Sequence, residues 1–154
     1  MKLIPALTVI ALLASTSAFA GAANAELKCQ SADGLVIEGS VPGDFAEFDV
    51  TVSKNGQSAR LFSTLNQSSS ETEENATLTV VESTADGVWT LSSYLNGENT
   101  YGYLQMFALP KTVKYKRLAN GYSAKFTAKT SLNLPGIDGD NFGVKLSCSL
   151  YYSI

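Results

Sequence analysis

Phe48-Asp49-Val50-Thr51-Val52-Ser53-Lys54-Asn55-Gly56-Gln57-Ser58-Ala59-Arg60-Leu61-Phe62-Ser63 reads as two strands folded about a two-residue turn. Asn-Gly accepts the positive φ angles of a type I′ turn, whose twist matches that of paired strands. With Asn55-Gly56 at the tip, Val52 falls opposite Ala59, Val50 opposite Leu61 and Phe48 opposite Ser63. The other side pairs Ser53 with Ser58 and Thr51 with Arg60. One face is apolar and the other polar, as in a sheet buried on one side.

The same punctuation recurs at Asp33-Gly34, Asp86-Gly87, Asn96-Gly97 and Asn120-Gly121. Between the turns run Val, Thr, Tyr, Phe and Ser, with no sustained 3.6-residue period. About Asn120-Gly121 the expected register sets Tyr115 against Phe126 and Val113 against Ala128. Its polar side sets Lys116 against Lys125, Lys114 against Thr127 and Thr112 against Lys129. About Asn96-Gly97, Trp89 is expected opposite Leu104 and Leu91 opposite Gly102, with Leu95 and Met106 on that core side. Tyr94, Tyr101, Tyr103 and Phe107 share the other side. The polar, acidic stretch Asn66 to Asn75 reads as a loop. Together these registers predict an all-β, antiparallel meander of about nine or ten strands, closed or nearly closed into a β-barrel, with a two-sheet β-sandwich as the alternative. Outward positions include Asp49, Arg60, Lys114, Lys116, Lys125 and Lys129, so a lipid-facing outer surface and membrane insertion are not expected.

Met1-Lys2, the apolar run Leu3 to Leu13 and the triplets Ala18-Phe19-Ala20 and Ala23-Asn24-Ala25 have the layout of a bacterial-type secretory signal peptide. Residues 1–25 are expected to be a cleaved leader, with a second cleavage position after Ala20, and residues 26–154 a single periplasmic or secreted domain. In such a compartment the cysteines, Cys29 and Cys148, pair as a disulfide. Strand alternation puts Cys29 with Leu27, and Cys148 with Val144, Leu146 and Leu150, on the apolar faces of the first and last strands.

Without Lys2 the chain carries 10 basic and 14 acidic residues, net −4, which argues against nucleic-acid binding. The charge is uneven. Residues 26–98 hold 12 acids and three bases, and residues 99–154 hold seven bases and two acids.

The chain has no histidine, which removes the commonest general base, metal ligand and partner of a nucleophilic serine. With both cysteines paired, no thiol chemistry is expected, and the chain is read as non-enzymatic and free of cofactor or metal. Asp44, Glu47 and Asp49 cluster as carboxylates, but Glu47 and Asp49 fall on a strand's polar side, where solvated charge accounts for them. The run Pro135-Gly136-Ile137-Asp138-Gly139-Asp140-Asn141-Phe142-Gly143 offers closely spaced oxygens to calcium. It departs from the EF-hand pattern, because Phe142 stands where an oxygen ligand belongs and no glutamate closes the loop. Turn composition accounts for it.

Two surfaces remain as candidate binding residues. Lys114, Lys116 and Lys125 lie in a hairpin of six bases without one acid, which is either edge protection, a counterpart to the acidic half, or a docking face. Tyr94, Tyr101 and Tyr103, set among Ser, Thr, Asn and Gln, form either covered core or a surface for protein interfaces and sugar stacking. The expected function is a non-catalytic exported binding or protein-interaction module for a protein or an anionic envelope polymer. A carboxylate-dependent hydrolase is the more distant alternative. In architecture, the small exported barrel with its short meander, single disulfide and tryptophan is similar to periplasmic lysozyme-inhibitor domains. That resemblance implies inhibition of a lysozyme-like enzyme, or more broadly of a protease, as a narrower form of the same function.

Overall fold

The structure, a computed structural model, describes residues 24–42, 47–66, 71–83, 88–97, 101–139 and 141–153. They form eleven strands: β1 (Ala25–Ser31), β2 (Val36–Val41), β3 (Phe48–Lys54), β4 (Gln57–Asn66), β5 (Glu71–Glu74), β6 (Ala76–Ser83), β7 (Val88–Leu95), β8 (Tyr103–Ala108), β9 (Lys114–Leu118), β10 (Gly121–Asn133) and β11 (Asn141–Ser153). They hydrogen-bond in the order β5-β4-β3-β2-β1-β11-β10-β8-β7-β6, antiparallel throughout, with β9 paired to β10 alone. This is the expected meander. It forms one continuous sheet curled into a nearly closed barrel, in place of the alternative sandwich. Because β1 pairs with β11, the first and last strands close the wall, and the one unsealed seam falls in mid-chain between β5 and β6.

Cys29 and Cys148 are direct cross-strand partners in the β1–β11 ladder and form the disulfide. Both are buried, and the Cys29 sulfur lies 3.6 Å from the Met106 sulfur across the interior. The other inward rows are aliphatic: Leu27, Ile37, Val50, Val52, Leu61, Leu91, Leu104, Leu146 and Leu150 are all buried. Alternation along each strand assigns these positions to the inside, together with the buried hydroxyls of Ser63, Ser93 and Thr130, and leaves most of the charge outside.

Asn55-Gly56 makes the predicted turn, both residues at positive φ (53° and 79°), and the β3–β4 register is the one expected. The Asp33-Gly34 turn uses Gly34 at φ 85°. Two other registers differ from expectation. In the β9–β10 hairpin the turn is Ala119-Asn120, and Gly121 is the first strand residue, paired with Leu118. The reason is steric: a Cβ on Gly121 would sit 1.9 Å from the Tyr152 carbonyl oxygen of β11, so the glycine is needed in the wall and not at the tip. Lys116 therefore faces Ser123, Tyr115 faces Ala124, and Lys125 faces Lys114.

Between β7 and β8 the connection is longer than Asn96-Gly97, and the Leu95 amide bonds the Gly102 carbonyl. A Cβ on Gly102 would lie 2.6 Å from the end of the Leu95 side chain and 3.1 Å from the Asn133 carbonyl oxygen, so a larger residue here would press on both. Leu91 consequently pairs with Met106, Ser93 with Leu104, and Trp89 with Glu82 of β6. The Trp89 side chain lies outside the described residues, as does the Asp86-Gly87 turn. Both slips are by whole pleats, which keeps the parity of the faces, although Tyr115, expected on the apolar side, is 59% exposed.

The acidic stretch read as a loop contains β5, whose backbone pairs with the free side of β4. Neighbour pairing outweighs the weak strand propensity of Glu there. Asn75, between β5 and β6, ties the seam. Its amide bonds the Phe62 carbonyl, and its side chain accepts from the Phe62 N–H and donates to the Arg60 carbonyl. Its own carbonyl accepts from the Asn96 amide beyond β7.

Candidate functional site

The outward face of β7, β8, β10 and β11 carries the residues singled out from sequence. Tyr94 on β7 pairs directly with Tyr103 on β8, and the Tyr101 ring meets Tyr103 edge-on at 6.2 Å between centroids. Tyr94 is 42% and Tyr101 75% exposed, with Tyr103 half-buried, so the three are a surface and not core. Gln105 donates from Nε2 to the Tyr94 hydroxyl at 2.9 Å, which orients that ring along the face. Phe107, 45% exposed, continues the row.

Lys114 and Lys116 are exposed on β9, and Lys125 is exposed on β10. The tyrosines and the Lys114–Lys125 pair are not adjacent. Tyr103 pairs with Asn133, eight residues along β10 from Lys125, which is roughly 26 Å at the usual rise. Lys129 fills the interval, flanked by Phe107 on β8 and Lys145 on β11. Lys145 was missed because only the β10–β11 register, with its long sequence separation, brings it beside Lys129.

None of these lysines forms an ion pair with a described residue. Two ion pairs, Lys54–Asp33 at 3.0 Å and Arg60–Asp49 at 2.7 Å, lie on the first half of the chain and involve none of these lysines. Lys125 shares a shallow groove with Lys28, Val36, Glu38, Ser147 and the Cys29–Cys148 disulfide.

The other sequence candidates serve the scaffold. Asp49 takes two 2.7 Å hydrogen bonds from Arg60, which hold its carboxyl below the usual carboxylate range and raise the guanidinium. Glu47 immediately precedes β3, and Asp44 lies outside the described residues. At the start of β11 the Asn141 side-chain oxygen accepts from the Lys54 ammonium at 2.9 Å, and in the loop before it Asp138 accepts from Gln57 at 2.7 Å. These oxygens thereby dock the β3–β4 turn against the barrel end. Asp140 lies outside the described residues. Among the described residues no helix is long and apolar enough to cross a membrane.

Comparison of the chain with protein-family models, with curated proteins and with solved structures finds no match.

Proposed function

We propose that the chain is an exported, non-catalytic binding module that docks an acidic partner through the outward face bearing Tyr94, Tyr101, Tyr103, Lys114, Lys116 and Lys125. One observation carries the reading: Lys114 stands directly opposite Lys125, and neither has an acidic partner among the described residues. A like-charged pair of this kind costs stability, and an anion from outside removes the cost. The disulfide and the apolar run Leu3 to Leu13 support an oxidising, exported setting. A carboxylate-pair hydrolase draws no support from Asp49, whose oxygens are occupied by Arg60.

The test compares wild type with a Lys114→Gln/Lys116→Gln/Lys125→Gln variant for melting temperature and for retention on immobilised anionic polymer across a salt series. The reading expects an intact fold, weaker retention and a shallower salt dependence. Wild-type retention by the variant, insensitive to salt in both proteins, contradicts it.

A further inference from the structure

Edge protection explains lysines on β9, a strand paired on one side only. It does not explain those inside the sheet. Lys125 has paired strands on both sides, between Lys114 and Ser149, and Lys129 lies between Phe107 and Lys145. The wall therefore carries two directly opposed lysine couples, Lys114–Lys125 and Lys129–Lys145, about 13 Å apart along β10 at 3.3 Å per residue. Between them the outward pair is Thr127 and Ser147. Each couple presents ammonium donors and no acceptor, a seat for one oxyanion. Two couples in register suit a chain that repeats its anionic groups, where a single small anion engages one.

Alongside, β7 and β8 present Phe107, Tyr103 and Tyr94 with Gln105 between them. Rings with polar tips, interleaved with amide and hydroxyl groups, match the C–H faces and hydroxyls of sugar rings. An acidic peptide fits less well. Lys125 and Lys129 lie where β10 is paired on both sides, so no backbone edge is free there for a peptide to extend the sheet. The chain's net charge of −3, with 12 acids in residues 26–98, opposes nucleic acid.

We propose that the outward face of β7 to β11 binds an acidic polysaccharide, its anionic groups on the Lys114–Lys125 and Lys129–Lys145 couples and its sugar rings on Phe107, Tyr103 and Tyr94. This rests on the docking reading above and names its ligand class.

The experiment measures binding of the full exported chain to polygalacturonate, monomeric galacturonate, neutral dextran, poly-glutamate and oligo(dT) at matched charge concentration. The expected result is binding to polygalacturonate at least 100-fold tighter than to the monomer, none to dextran, and at least tenfold weaker binding to poly-glutamate and oligo(dT). Lys129→Gln/Lys145→Gln should weaken polygalacturonate binding about tenfold or more and lower the salt slope by about two, one per lost contact. Phe107→Ala should weaken polygalacturonate but not poly-glutamate. Equal or tighter binding of poly-glutamate or oligo(dT) overturns the polysaccharide while leaving an acidic partner. Full binding by Lys129→Gln/Lys145→Gln overturns the two-couple seat even if the β9 variants lose retention. Failure to bind any of the anionic polymers overturns both readings.

Discussion

Lys129 on β10 stands directly opposite Lys145 on β11, and one strand over Lys129 also faces Phe107 on β8. A lysine held between a ring and a second lysine, inside a sheet, has neither an edge to protect nor an acid to answer. The direct opposition of two lysines, repeated at Lys114–Lys125, distinguishes this wall from the β3–β4 wall, where Arg60 and Asp49 satisfy each other.

Gly121→Ala should be among the most damaging single substitutions in the barrel. Its Cβ would meet the Tyr152 carbonyl oxygen at 1.9 Å, so β10 or β11 must shift. A loss of about 2–3 kcal/mol or more is expected, in the range of overpacked cores. Gly34→Ala, where nothing lies within 4 Å of the new Cβ, should cost only the positive-φ strain of about 1–2 kcal/mol. Denaturant midpoints of the two variants measure the difference, and equal midpoints would place Gly121 at the turn tip.

Asn75→Ala removes the side chain that bonds the Phe62 amide and the Arg60 carbonyl at the seam. Leaving partly buried backbone groups unpaired costs about 1–3 kcal/mol. Hydrogen exchange at the Phe62 and Asn96 amides should accelerate while exchange across β1–β11 stays slow. Uniform acceleration would mean that the seam is no weaker than the rest of the wall.

The Asp49 carboxyl, held low chiefly by its hydrogen bond from Arg60, gives stability an acid limb. A depressed folded-state value means the contribution is complete above the ordinary 3.8 and lost as pH falls through the lower folded value. Asp49→Asn should cost under about 1 kcal/mol at neutral pH, since the pair is exposed, and the gap to wild type should close in strong acid. Melting curves between neutral pH and about pH 2 check the sign. A gap that widened in acid would contradict the pairing.

Much of this fold was legible because alternation fixes faces independently of exact pairing. Val50, Leu91, Leu104 and Met106 are inside, and Tyr94 and Lys125 outside, whichever whole-pleat register holds. Cys29 and Cys148 were legible for the same reason. The registers at Asn96-Gly97 and Asn120-Gly121 were not, because Gly102 and Gly121 answer to atoms of other strands, the Asn133 carbonyl and the Tyr152 carbonyl among them. Local turn chemistry carries no trace of that contact. The same blindness hid Lys145, whose neighbour Lys129 lies across a long connection.

The most direct test of the claim that these lysines answer to an outside partner is the melting temperature of Lys125→Gln at low ionic strength. Lys125 faces Lys114, and no described acid pairs with it. The account predicts that the variant melts at the wild-type temperature or higher, by up to the equivalent of about 1 kcal/mol, with the difference vanishing in high salt. A variant that melts lower, by an amount that salt also abolishes, would show that Lys125 is already paired within the chain and would contradict the account.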